Sequence, residues 1–170
     1  QVDCQRIRQF LEEEANLLLR DNVKMHFTAS AWVLNPSKNK VLMLYHNIYQ
    51  SWSWSGGHAD GEGDLLSVAM KEVKEESGLV SLKPLSDSPI SIEILGVQPH
   101  YKKQKYVSAH LHLNYTFLLH NTKEEKLKIC PEENSKVGWL SPDEAVRSST
   151  EAWMKPIYKK LNQKMRKYLG

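Results

Sequence analysis

The stretch that decides the reading is Gly56-Gly57-His58-Ala59-Asp60-Gly61-Glu62-Gly63-Asp64, followed over residues 65–79 by LLSVAMKEVKEESGL. Gly56, Gly57, Gly61 and Gly63 fall within eight residues, so the backbone there can come close to a ligand. Asp64 has the chemistry of a helix N-cap and Gly78 that of the residue after a helix end, which predicts a helix over 65–77. At about 100° per residue, Leu66, Ala69, Met70 and Val73 form one stripe to bury against a sheet. Glu72, Glu75 and Glu76 share an adjoining sector, and Ser67, Lys71 and Lys74 take the remaining side. Carboxylates at i, i+3 and i+4 repel by about a few tenths of a kcal/mol per pair, and a divalent cation reverses that sign. Mg²⁺ suits such a site, since it takes hard oxygen ligands and uses few carboxylates beside substrate phosphates. Alone, the pattern ExxEE fits a solvated helix face; beside the glycine loop it reads as a seat for metal and phosphate.

Outward from this stretch the signals alternate. Residues 3–20 carry Ile7, Phe10, Leu11, Leu17 and Leu18 at helical spacing. Phe27 to Leu34 and Val41 to Tyr45 read as strands joined through Asn35-Pro36-Ser37-Lys38-Asn39, a hairpin turn. In Tyr49 to Ser55, Trp52 and Trp54 face one way and the serines the other, with the tryptophans read as core or as base-stacking surfaces. Strands are expected at 91–97, 108–119 and 136–140. Ser141 caps a short helix with Pro142 at its first position, and an amphipathic helix spans 151–169. Helix, strands, helix, strands, helix predicts a mixed α/β sandwich in a single domain over 1–170.

The bulk numbers narrow the class. A chain of 170 residues with 41% hydrophobic and 25% charged residues suits one globular domain. A formal charge of +3 is too small to argue for nucleic acid. Lys102, Lys103 and Lys105 read as a solvated cluster, with phosphate steering as the sharper alternative. Cys4 and Cys130 lack any paired spacing and suit a reducing, cytoplasmic setting. No apolar run reaches the roughly 20 residues a bilayer span requires, so no membrane partner is expected.

The segment resembles the Nudix box, Gly-x5-Glu-x7-Arg-Glu-U-x-Glu-Glu-x-Gly-U, where U is a bulky aliphatic residue. Gly57, Glu72, Val73, Glu75, Glu76, Gly78 and Leu79 match in register. Trp52-Ser53-Trp54-Ser55 before the box and Val137-Gly138-Trp139-Leu140-Ser141 after it resemble Nudix hydrolases too, so the likeness covers about residues 24–147. It implies an α/β/α sandwich around a central mixed β-sheet. The implied activity is Mg²⁺-dependent hydrolysis of a nucleoside diphosphate linked to another moiety X, with Mn²⁺ as an alternative metal. Glu72, Glu75, Glu76 and the carbonyl of Gly57 are the implied metal ligands. The general base is implied to be Glu72 or Glu75, or Glu132 or Glu133 from a later loop. The implied partner is a nucleoside-diphosphate-type small molecule, and a homodimer is a frequent assembly in the family.

Two positions depart from the pattern. Gly63 stands where the family has its first glutamate, with Glu62 one residue early and Asp60 nearby as substitutes. Lys71 replaces arginine, keeping the charge but losing the planar fork that holds a carboxylate. Both keep open a second reading, a nucleotide-binding module that does not cleave. A third, an isomerase of the isopentenyl diphosphate type, needs an active-site cysteine that the box and its lead-in lack. His58, Lys71 and Glu62 are the candidate substrate contacts, with helix entry as the alternative role for His58. His110 and His112 share a strand face and read as structural histidines. His26, Thr28 and Ser30 share another, with solvent exposure as the simpler account and a cleft lining as the alternative.

Overall fold

A computed structural model describes residues 2–102 and 104–170. Helix α1 (Val2–Glu13) leads into β1 (Met25–Leu34) and β2 (Val41–His46), then the short strands β3 (Ser51–Ser53) and β4 (Ser55–His58). Helix α2 (Leu65–Ser77) follows, then β5 (Leu82–Pro84), β6 (Ser91–Val97), β7 (His100–Lys102), β8 (Lys105–Val107) and β9 (His110–Asn121). The chain closes with β10 (Asn134–Leu140), α3 (Pro142–Ser148) and α4 (Met154–Leu169).

The main sheet runs β10-β2-β1-β9-β5, with β3 paired to β2, β4 to β1 and β6 to β9. β1 and β9 are parallel over ten residue pairs, Met25 with Leu111 through Leu34 with His120, and the other pairings are antiparallel. The sheet is therefore mixed, as expected. Every residue of β1 is buried. Its two faces do different things. Ala29, Ala31 and Val33 pack with Val68, Ala69 and Val73 beneath α2. On the opposite face Trp32 and Leu34 pack with Tyr158, Leu161 and Met165 of α4 and Ala145 of α3. Helices on both faces make the α/β/α sandwich. At the N-terminal end Ile7 of α1 joins Phe27 and Leu113 in a third cluster.

The local signals at α2 and α3 are realised as read. Asp64 Oδ1 accepts the Ser67 N–H (3.1 Å), and Gly78 closes the helix at φ 76° with its N–H on the Lys74 carbonyl. Ser141 and Glu144 form a reciprocal capping box at α3.

Four expectations change. The helix read over 3–20 ends at Glu13, because Asn16 takes φ 58° and turns the chain. Leu17 then buries at the sheet and its carbonyl accepts the Phe27 N–H at 2.7 Å. The Tyr49–Ser55 strand divides between two partners, β3 on β2 and β4 on β1, and it is the serines that are buried. Trp52 and Trp54 are half-buried and pack against the α4-side core. The buried stripe of α2 runs through Val68, Ala69, Val73, Glu76 and Ser77, leaving Leu66 and Met70 only partly covered. The last helix begins at Met154, which puts Pro156 in its first turn, where no helical hydrogen bond is lost.

Candidate active site

Strand β4 is the hinge of the site, because alternate residues on it serve two faces. Ser55 and Gly57 face α2. A Cβ on Gly57 would overlap the Glu72 carboxyl group, so only glycine lets that carboxylate lie against the backbone. Ser55 donates its hydroxyl to Glu76 Oε2, which also accepts the Gly56 N–H at 3.3 Å. Gly56 and His58 face the other way, and Gly56 fits closely over Ser30.

The three glutamates stand in different environments. Glu76 is 7% exposed, and burial raises its carboxyl to about 8; the charge of Glu72 adds to this, while the Ser55 bond opposes it. Glu72 is half-buried and also raised, first by burial and then by the charges of Glu75 and Glu133. Glu75 is exposed, 3.8 Å from Lys71. The carboxylate sector expected from the helical layout thus grades from core to solvent. Asn134 of β10 ties the seat down by donating to the Glu76 carbonyl at 2.9 Å.

A cavity of about 880 Å³ opens over this seat, within the size range of small-molecule sites. Glu72, Glu75, Glu76, Gly57, His58, Lys71, Glu132 and Glu133 all line it. The charge of Glu133 is felt at both Glu72 and Glu76, which places the turn at 131–133, just before β10, beside the helix carboxylates. Glu62 is exposed and absent from the lining, and its Oε1 accepts the Asp64 N–H within its own loop. Asp60 does line the cavity, held by a two-pronged bond from Arg20 (2.6 and 2.5 Å). Burial works to raise the Asp60 pKa, but the Arg20 fork outweighs it and holds the group below its ordinary range. Of the basic cluster, Lys105 is exposed in the β7–β8 hairpin, while Lys103 lies outside the described residues.

The opposite wall holds residues that sequence reasoning underrated. His26, Thr28 and Ser30 are buried and line the cavity, which overturns the solvent-exposed account. Parallel register sets His26 beside His112 and Thr28 beside Asn114. Asn114 accepts hydrogen bonds from Thr28 (3.0 Å) and Ser30 (2.8 Å). The alternation His26/Thr28/Ser30 was the available signal; that a parallel partner would cover it was not. Tyr49, Trp54, Tyr106 and Trp153 add aromatic surface, whereas Trp52 is absent from the lining.

The family model described as the NUDIX domain matches residues 24–161. The chain belongs to the Nudix hydrolase family. The match runs past the 24–147 expected from the box and into α4, and the enzyme class expected from the box stands with it. Solved structures agree in fold. A C. elegans Ap4A hydrolase binary complex aligns with TM-score 0.61 and 18% identity, covering 81% of this chain and 95% of that one. A NUDIX-family hydrolase from Clostridium perfringens gives 0.60 and 17%, with 83% and 96% covered. The E. coli dihydroneopterin triphosphate pyrophosphohydrolase gives 0.56 and 16%, with 79% and 92% covered. No curated protein gives a significant match. No helix among the described residues is long and apolar enough to cross a membrane.

Proposed function

We propose that this Nudix hydrolase cleaves the pyrophosphate bridge of a nucleoside diphosphate linked to a further moiety, with Mg²⁺ as its metal. The observation that carries the proposal is the Glu72 carboxylate laid on the bare backbone of Gly57 beside Glu75, Glu76 and Glu133. The donor set fits a hard cation: it is all oxygen, and the Ser55 and Gly56 bonds to the Glu76 carboxylate both go to Oε2. Glu72, Glu75, Glu76 and the Gly57 carbonyl would hold the ion, and Mn²⁺ would substitute. When bound, Mg²⁺ supplies charge neutralisation at the bridge and a more acidic water.

This chain's residues supply the rest. Glu72, Glu75 or Glu133 takes the proton of the attacking water, Glu72 favoured by a carboxyl that burial makes more basic than an ordinary glutamate. His58 and Lys71 contact phosphate oxygens along the lining. Tyr49, Trp54, Tyr106 and Trp153 offer faces on which a base can stack. The free thiols of Cys4 and Cys130 support a reducing, cytoplasmic setting. The whole chain, 1–170, is read as one domain, since α1 and α4 pack on the same sheet as the family core.

The test is a substrate panel with Mg²⁺ or Mn²⁺: dinucleoside polyphosphates, nucleoside and pterin triphosphates, ADP-ribose, nucleotide sugars, NADH and CoA, read by released phosphate products. Turnover of at least one member is expected. A second reading, binding without cleavage, is favoured by Lys71, whose bond to exposed Glu75 is a long single contact in place of an arginine fork. Metal-dependent nucleotide binding with no turnover of any member would select it.

A further inference from the structure

We propose that His26, His110 and His112 form a second metal site, for a borderline divalent transition ion of the Zn²⁺ class, on the wall of the cavity across β4 from the glutamates. The ligand nitrogens of the three side chains lie within 4.8 Å of one another. His110 Nε2 and His112 Nε2 are 3.1 Å apart. Two nitrogens bound at 2.0–2.1 Å to one tetrahedral ion sit about 3.3 Å apart, so this pair is already at ligand spacing.

The protonation pattern favours an ion. A carbonyl oxygen only accepts, so a ring nitrogen facing one must carry the proton. His26 Nδ1 faces the Asn22 carbonyl (3.1 Å) and His110 Nδ1 faces the Ser108 carbonyl (2.8 Å). In the neutral rings, both Nε2 atoms therefore present lone pairs to the cluster. These are the outer bonds that orient metal-ligating histidines and fix their tautomer. His26 Nε2 is buried with no hydrogen-bond partner among the described residues. A single N–H between His110 and His112 leaves that atom unpaired, at a cost of roughly 1–3 kcal/mol. A shared cation, with the His112 proton carried on Nδ1 in place of Nε2, would take an Nε2 lone pair from each of the three rings.

Imidazole nitrogens select Zn²⁺, Co²⁺ or Ni²⁺ over Mg²⁺, so the two walls take different ions. Three protein ligands leave a fourth position, the arrangement of catalytic zinc sites. All three histidines line the cavity, so that position takes water or an oxygen of a bound phosphate. His58, whose ring centroid is 5.0 Å from both His26 and His112, sits one residue from Gly57 and joins the two walls along β4.

The site is independent of the Mg²⁺ reading and is tested without activity. Metal-stripped full-length protein is titrated with Zn²⁺ against a chromophoric chelator in excess Mg²⁺, and with Co²⁺ followed by visible absorption. The expected result is uptake of one Zn²⁺ per chain and an intense four-coordinate Co²⁺ spectrum abolished by Zn²⁺. His26→Gln and His110→Gln should weaken uptake by more than the roughly 10- to 100-fold that loss of an outer-shell partner costs. Glu75→Gln should leave it unchanged. Imidazole ¹⁵N spectra of the unsubstituted protein should show Zn²⁺ shifting the Nε2 resonances of His26 and His110, which needs no variant to fold. Absence of stoichiometric uptake, or uptake lost in Glu75→Gln and kept in the histidine variants, overturns the proposal. The glutamate seat would stand in the first case.

Discussion

The helical half of the box, Leu65–Leu79, and its loop half, Ala59–Asp64, hold their charges by different means. In the helix, Glu72 and Glu76 are set by close packing: a bare glycine under one carboxylate, a buried serine against the other. In the loop, charge is set by an exchangeable ion pair, Arg20 on Asp60, both about half exposed. The loop backbone is pinned from outside the box, by the Gly61 N–H on the Leu18 carbonyl. The departures from the family pattern at Gly63 and Lys71 fall where the structure is open. Of the matches, Gly57, Val73, Glu76 and Leu79 are closely packed, whereas Glu75 is as open as the departures.

Four measurements sharpen or break this contrast. Glu75→Gln and Glu76→Gln delete charge at nearly constant volume, and each should lower kcat by about 10²–10⁴-fold with the circular dichroism unchanged. Wild-type rates in both would sink the ligand assignment. Gly57→Ala drives a methyl into the Glu72 carboxylate and should cost about 1–3 kcal/mol of stability. A chain of this size would show roughly 2–4 °C lower Tm per kcal/mol, along with weaker Mg²⁺ affinity. An unshifted melt would mean the close approach is absent in solution.

The third measurement concerns pH. In metal-free protein Glu76 keeps its proton up to about pH 8, while the unfolded chain releases it near 4.5. Between these values the folded state holds more protons, so this residue's contribution to stability falls as pH rises. The Tm difference between Glu76→Gln and wild type, taken in EDTA, should therefore shift in the variant's favour from pH 4.5 to 8. His112, held neutral by burial, has the opposite effect below 6.5, but it is present in both proteins and cancels in the difference. A flat difference would show that Glu76 is ionised throughout. The smallest effect is expected from Gly63→Glu, which restores the family residue into open space. Stability should change by less than about 0.5 kcal/mol, with Mg²⁺ affinity unaltered. A large gain in turnover would show that the loop half contributes to catalysis after all.

What was legible in the sequence was local. Asp64, Gly78, Ser141 and Pro142 act on backbone within a turn of themselves, so α2 and the start of α3 were placed to the residue. The Glu72/Glu75/Glu76 sector follows from helical geometry alone. The end of α1 turned on one left-handed asparagine, Asn16, against a continuing apolar pattern. The β7–β8 hairpin and β5 are three-residue strands, too short for periodicity to register. The assembly of the histidine wall was hidden for another reason. His26, His58, His110 and His112 come from three strands, and only the β1–β4 and β1–β9 registers bring their rings within about 5 Å.

That parallel β1–β9 pairing also sets when the cavity can exist. Met25–Leu34 must find residues 111–120, and everything from the hairpin to the box lies between them. Pairings this distant in sequence are slow to close, because the chain entropy is lost before the contact is made. A growing chain that has emitted the complete box but not β9 leaves the central strand without one of its two sides. The polar wall of the cavity is therefore assembled late, after the glutamate-bearing helix has already been synthesised.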